Sequence, residues 1–253
     1  MFSRDMALAI DPRAFFRAAT GVDPDPWQVD VLTTTSRRVL LNCCRQSGKS
    51  TTTAVVALRH ALYNPGSLTL LVAPTLRQSS ELFAKAIDCF RRLGEPVPAR
   101  STTSSSLVLA SGARVVALPG ESDATIRGYS AVGLLVVDES SRVADSVLYG
   151  LRPVLAVSGG SLFCLSTPWG RRGAFYESWE GDEDWHRVRV TWRDVPRFDP
   201  SFIDEERRVM PGLFFRSEYE CEFVDQIDQA FASEDIDRSL VDHVEPLVWQ
   251  FED

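Results

Sequence analysis

Two short stretches carry the residue types that phosphate chemistry requires. The first is Arg45-Gln-Ser-Gly-Lys-Ser-Thr51, preceded by the apolar run Val39–Leu41 and continued by a helix-forming run to Tyr63. Strand, turn and helix N-terminus in that order leave backbone N–H groups without partners, and together with the helix dipole these favour a phosphate. Gln46, Ser47, Gly48, Lys49, Ser50 and Thr51 would line that cradle, with Lys49 reaching the β- and γ-phosphates and the Ser50 hydroxyl ligating Mg²⁺. Cys43 stands where the usual G-x-x-x-x-G-K-[ST] pattern has its first glycine.

The second stretch is Gly133-Leu-Leu-Val-Val-Asp-Glu-Ser140. Four apolar residues predict a buried strand from whose C-terminal end two carboxylates emerge, and ligands of open parallel sheets sit at that end. Asp138 is placed to hold Mg²⁺, directly or through water, and Glu139 to orient a water for attack on a γ-phosphate. Adjacent acids at a buried strand end are costly unless a cation or donors answer them. The two stretches support each other and point to hydrolysis rather than binding alone.

Weaker signals lie around them. Trp27-Gln28, upstream of the loop, suits an adenine pocket in which the ring gives apolar contact and the amide pairs with the base edge. A core tryptophan beside a surface glutamine fits the same two residues equally well. Ser166-Thr-Pro168 closes another apolar run, where small hydroxyls could sense a γ-phosphate or simply cap a strand. The basic loop Trp169-Gly-Arg-Arg-Gly173 follows.

The elements that must position these residues alternate. Apolar runs at Leu68–Ala73, Val132–Val137 and Ser161–Pro168 read as buried strands, separated by helical patterns at Thr51–Tyr63, Thr75–Leu93 and Asp145–Val157. That alternation predicts an α/β fold with a mostly parallel central sheet flanked by helices. Ser105–Ala110 and Ala113–Leu118 flank Ser111-Gly112 as a hairpin, on an edge or projecting. Residues 1–25 read as a helical N-terminal extension, with Pro12 opening and Gly21 closing one helix. Trp185–Trp192 alternates as a half-exposed strand. The core is assigned to 1–193 and a lid or linker subdomain to 194–253, with helices at Ser201–Met210 and Pro211–Phe223 before an acidic tail.

Composition bounds the rest. The net charge of −8 divides unevenly: residues 1–193 carry 22 basic and 18 acidic side chains, residues 194–253 carry 5 and 17. A globally basic nucleic-acid binder is excluded, but an arginine surface on the first part is not. Lys49 and Lys85 are the only lysines, so the phosphate loop keeps lysine in a chain that elsewhere prefers arginine. Five cysteines without C-x-x-C spacing argue against zinc or a disulfide framework. His60, His186 and His243 are scattered, and no apolar run approaches bilayer length.

Taken in order, Trp27-Gln28, the loop Arg45–Thr51 lacking its first glycine, Asp138-Glu139 and Ser166-Thr-Pro168 resemble the ATPase domain of the large terminase subunits that package DNA into tailed-phage capsids. Ile126-Arg-Gly-Tyr-Ser130 and Glu218-Tyr-Glu-Cys-Glu-Phe223 resemble further segments of that family. The resemblance implies a RecA-like, ASCE-type P-loop NTPase using ATP and Mg²⁺, with Lys49, Ser50, Asp138 and Glu139 in the roles given above. It further implies that Arg45 contacts the γ-phosphate or locks the lid. Arg127 would serve a neighbouring subunit as an arginine finger, and Ser166-Thr167 would couple hydrolysis to DNA movement.

Its implied partners are double-stranded DNA, other copies in a ring, a portal and a small terminase subunit, in the host cytoplasm and not at a membrane. Arg91, Arg92, Arg100, Arg114, Arg171 and Arg172 are the candidate DNA contacts. Family members carry a second, nuclease domain with clustered acids; no such array occurs in this sequence, and nuclease activity is not expected of it. Two other readings compete: a helicase-like ATPase, which needs a second RecA-like lobe, and a non-catalytic module that uses nucleotide only to organise a ring.

Overall fold

The computed structural model describes residues 2–121 and 124–224. The chain opens with α1 (Phe2–Ile10), α2 (Pro12–Thr20) and α3 (Pro26–Thr33), then enters β1 (Arg38–Cys43). α4 (Lys49–Tyr63), β2 (Leu68–Ala73), α5 (Leu76–Arg92), β3 (Ala99–Thr102), β4 (Ser106–Leu109) and β5 (Arg114–Pro119) follow. α6 (Ala124–Arg127), β6 (Val132–Asp138), α7 (Asp145–Leu151), β7 (Ser161–Ser166), α8 (Ala174–Glu180) and β8 (His186–Val190) complete the sheet, and α9 (Pro200–Val209) and α10 (Gly212–Glu218) lie beyond it.

Local chemistry sets the helix ends. Asp11 accepts the Arg13 N–H at 2.8 Å, Pro12 occupies the first turn, and Gly21 closes α2 at φ 83°. α5 starts from a capping box between Thr75 and Gln78. The periodicity puts Leu76, Leu82, Phe83, Ile87 and Phe90 on one apolar face; the last four are buried, but Leu76, in the first turn, is exposed.

The eight strands form one sheet in the order β3-β4-β5-β2-β6-β7-β1-β8. From β5 to β8 all neighbours are parallel, while β3 and β4 add an antiparallel edge. All six residues of β2 are buried, as expected of a strand covered on both faces. Against one face pack Phe15, Phe16, Leu58 and Phe83 from α2, α4 and α5; against the other pack Leu151, Leu155, Phe175 and Trp185. Ile203, Phe215 and Tyr219 form a small separate cluster with α9 and α10. The hairpin is therefore a sheet edge, extended by β3.

One feature of this order governs the site. β7 lies between β1 and β6, with Asn42 opposite Ser166 and Asp138 opposite Leu165. The three strands end level, so the loop after β1, the acids after β6 and the hydroxyls after β7 open at one sheet edge.

Two helices are shorter than their patterns suggest. α7 stops at Leu151 and gives way to a 3₁₀ turn, Arg152–Leu155, because Pro153 cannot continue an α-helical ladder. α10 ends at Glu218, after which residues 219–224 are not helical. Among the described residues no helix is long and apolar enough to cross a membrane. The acidic tail lies outside the described residues.

Candidate nucleotide site

The loop between β1 and α4 is held by residues distant in sequence. The Cys44 N–H donates to the Val190 carbonyl at 2.8 Å and the Arg45 N–H to the Glu218 carbonyl at 3.2 Å. Two loop residues adopt left-handed backbone, Gln46 at φ 56° and Gly48 at φ 99°. Gly48 needs its lack of a side chain twice over: a Cβ there would be strained at that φ and would lie 3.2 Å from the Gln28 amide nitrogen. Ser47 and Lys49 are buried, Ser50 and Thr51 half-buried, and Arg45 and Gln46 exposed.

Lys49 begins α4 and reaches across the strand ends to Glu139, with Nζ 3.0 Å from Oε1. The Ser50 hydroxyl donates to Asp138 Oδ2 at 3.2 Å, and Asp138 Oδ1 accepts the Glu139 N–H at 2.9 Å. Glu139 itself is left-handed at φ 50°, a strain of the kind that concentrates at functional sites. Burial opposes the Lys49 ammonium, but the Glu139 and Asp138 carboxylates outweigh it and hold the group above its ordinary range. Burial raises the Asp138 carboxyl above its ordinary value, although Lys49 pulls the other way. Among the described residues no three His, Cys, Asp or Glu side chains gather to hold a metal on their own. A hydroxyl and one carboxylate, Ser50 and Asp138, suit Mg²⁺, which keeps waters and shares its shell with phosphates.

The β7 hydroxyls adjoin the acids. Ser166 Oγ lies 2.6 Å from Ser141 Oγ and 3.4 Å from Glu139 Oε2, and Ser141 donates to the Thr167 carbonyl at 2.9 Å. Thr167 is buried. Ser166 has one proton and two rival acceptors, so its bond to Glu139 and its bond to Ser141 exclude each other when Ser166 is the donor. Arg142, in the 3₁₀ turn after Glu139, lies 3.9 Å from Glu139 Oε2 and stacks 3.9 Å from the ring centroid of Trp169.

Trp27 and Gln28 stand beside the loop rather than open to solvent. Both are buried; the Gln28 carbonyl accepts the Asp25 N–H at 2.8 Å and its amide donates to Thr52 at 2.8 Å. Both ends of the amide are thus engaged within the protein. The Arg45 guanidinium forms a 2.7 Å ion pair with Glu218. With Gln46, Phe198, Phe202, Met210 and Phe214 it borders an open cavity of about 420 Å³ between the loop and α9–α10.

Arg127 is exposed at the end of α6. All six candidate DNA arginines are exposed but fall at opposite ends of the sheet. Arg114 begins β5, Arg100 lies in the adjoining β3–β4 edge, and Arg91 and Arg92 end α5 as it returns to that side. Arg171 and Arg172 follow the C-terminal end of β7, with Arg171 donating to the Phe223 carbonyl at 3.2 Å.

Several site residues escape sequence reasoning: Arg142, Ser141, Asp25, Thr52, Glu218 and Arg197. Arg142 had a local signal, its three-residue spacing from Glu139. Glu218 and Arg197 reach the loop only through tertiary packing, and Asp25 joins it through Arg197. Thr52 lies one helical turn beyond Gly48, and Ser141 meets the β7 hydroxyls rather than the loop. Arg197 donates to Asp25 Oδ2 at 2.7 Å and to the Ser47 carbonyl at 2.8 Å.

Known proteins resemble this chain in sequence and in fold. The large terminase subunit of Thermus virus P23-45 is 27% identical over 261 residues, covering 89% of this chain and 54% of that protein. The corresponding subunit of Escherichia phage T5 is 26% identical, covering 95% and 57%. The chain therefore spans a little over half the length of the curated relatives it matches. Among solved structures, the ATPase domain of the Thermus phage P74-26 large terminase superposes with a TM-score of 0.74 at 24% identity, over 84% of this chain and 99% of that one. The large terminase of a thermophilic bacteriophage, solved with ADP, gives 0.67 at 13% identity over 79% and 53%. These likenesses establish the RecA-like fold. The profile described as "Terminase large subunit, T4likevirus-type, N-terminal" matches residues 40–238, from inside β1 past the end of α10, and the chain belongs to that family.

Proposed function

We propose that this chain is the ATPase of a packaging motor, hydrolysing ATP to drive double-stranded viral DNA into a procapsid. The observation that carries the reading is the convergence of Lys49 with Glu139, at 3.0 Å, and of Ser50 with Asp138, at 3.2 Å, on one sheet edge. Bound Mg²⁺, held through Ser50 and Asp138, would offset charge on the phosphates and leaving group.

In this reading loop N–H groups and Lys49 bind the β- and γ-phosphates. Glu139, released from Lys49 when the phosphates arrive, orients the attacking water. The buried Trp27 and Gln28 shape the base side of the site from behind the loop, with Gln28 acting through Asp25 and Thr52. Arg45 exchanges Glu218 for the γ-phosphate. Arg127 acts in trans, on the nucleotide of the next subunit in a ring. Ser166 and Thr167 pass the state of Glu139 toward the DNA-gripping parts, and residues from 194 onward serve as lid and linker.

The ring would work with a portal and a small terminase subunit in the host cytoplasm. A relative solved with ADP and with ATP-γ-S supports nucleotide as the ligand. The two arginine groups imply that one straight duplex path engages one group at a time. Charge reversal at Arg171 and Arg172, set against reversal at Arg100 and Arg114, identifies which group lowers the salt-dependent affinity.

The deciding test is calorimetry with Mg-ATP and single-turnover hydrolysis for the intact chain and for Glu139→Gln. The variant is expected to retain binding and to hydrolyse about 10²–10⁴-fold more slowly. Equal rates, or an intact chain that ignores Mg-ATP, would overturn the proposal.

A further inference from the structure

The phosphate loop has a conformational problem its own sequence does not solve. It lacks the first glycine of the usual pattern, with Cys43 in its place, and it places a non-glycine residue, Gln46, in left-handed backbone two residues before Gly48. A non-glycine residue in that region persists only where the surroundings over-determine it. The external bonds at Cys44 and Arg45 lie upstream of this turn. Within it, Arg197 holds the Ser47 carbonyl.

We infer that Arg197 is a positioning residue for the phosphate loop, clamping the 47–48 peptide so that its N–H is presented to a phosphate. One guanidinium nitrogen donates to the Ser47 carbonyl at 2.8 Å and another to Asp25 at 2.7 Å. The carboxylate that receives it is 9% exposed, and its residue caps α3 in a capping box with Gln28. The peptide is trans, so its C=O and N–H point in opposite directions. Fixing the Ser47 oxygen on the Arg197 side turns the Gly48 N–H to the other side. The geometry also explains why an arginine serves here: two fixed donors bridge a carbonyl and a carboxylate at once, which an ammonium cannot do with the same rigidity. Asp25, Gln28 and Thr52 continue the clamp behind the loop, so α3, the loop and the segment after β8 form one hydrogen-bonded unit.

This inference rests on reading the loop as a nucleotide site, and its test separates the two. Hydrogen exchange is measured on peptides covering residues 43–50 and 55–62 in the nucleotide-free wild-type chain, Arg197→Ala and Arg197→Lys, alongside calorimetric titration with Mg-ADP. Arg197→Ala is expected to speed exchange in 43–50 while sparing 55–62, and to weaken Mg-ADP binding about tenfold, the scale of a lost charged hydrogen bond. Arg197→Lys should restore part of both. If Arg197→Ala unfolds, Asp25→Asn, which keeps a capping oxygen but removes the charge, should give the same changes at smaller amplitude. Unchanged loop exchange, or an unchanged dissociation constant in a wild-type chain that binds, overturns the clamp. A wild-type chain that binds no nucleotide sinks the nucleotide reading instead, and loop exchange alone then decides the clamp.

Discussion

The Lys49 ammonium rests against Glu139, 3.0 Å away, across the strand that separates their two motifs. The residue assigned to phosphate is thus neutralised by the residue assigned to water. Arriving phosphates would break that pair, freeing the carboxylate when there is something to hydrolyse. Lys49→Ala should therefore abolish Mg-ATP binding and also affect the nucleotide-free chain, because Asp138 would lose the Lys49 charge and Glu139 the nearer of its two cations, keeping Arg142 at 3.9 Å. Removing one member of a buried pair costs about 3–5 kcal/mol; partial exposure of Glu139 reduces this to about 1–3 kcal/mol. Urea titration without nucleotide checks it, and an unchanged midpoint would show that the pair contributes nothing.

Acid should weaken metal-dependent binding through Asp138. Burial raises its carboxyl above the ordinary 3.8, so the folded chain takes up this proton at higher pH than the unfolded chain does. The nucleotide-free fold consequently gains stability as pH falls through that raised value, since the proton relieves a buried charge. Mg-ADP affinity should move oppositely, because in the proposed site the ionised carboxylate would hold the metal. Titrations at descending pH should show the loss beginning above the ordinary carboxylate range, and Asp138→Asn should remove that component.

Gly48→Ala tests the backbone argument. The substitution forces a side chain into φ 99° and against the Gln28 amide, with an expected loss of about 1–3 kcal/mol of stability. Thermal unfolding without nucleotide reads it, and binding should fall further than stability because the loop N–H groups are displaced. Wild-type melting together with wild-type affinity would contradict the geometry.

Turnover per chain should rise with protein concentration if Arg127 works in trans. In assembled protein, Arg127→Ala should lower the rate by up to about 10³-fold, the lower range for an arginine finger, while dilute protein should be nearly indifferent to it. Concentration-independent hydrolysis unaffected by the substitution would remove the trans role.

Stacking of Arg142 on Trp169 places a cation–π contact beside Glu139. Trp169→Ala should cost about 0.5–1 kcal/mol and leave Arg142 free to approach Glu139 more closely. A slower hydrolytic step at unchanged Mg-ATP affinity is the expected signature, read in single-turnover assays; altered affinity with an unchanged step would contradict it.

What the sequence made legible was local. The loop, the paired acids and the alternating helices each depend on neighbours within a few residues, so Lys49, Ser50, Asp138 and Glu139 could be located without coordinates. β3 was not legible because all four of its residues are exposed and no apolar alternation marks it. Arg197 left no trace either, standing 172 positions from Asp25 and 150 from Ser47. The Gln28 amide was legible as a candidate group, but its engagement with Asp25 and Thr52 depends on how α3 docks against α4.

Segment 217–223 has a mechanical consequence. Ser217 donates to the Pro168 carbonyl, Glu218 meets Arg45, Asn42 donates to the Cys221 carbonyl, and Phe223 sits among Phe175, Tyr176 and Trp179. A few consecutive residues are sewn to the phosphate loop at one end of their run and to the helix after the Ser166-Thr167 turn at the other. A shift of either seam pulls on the same short length of backbone.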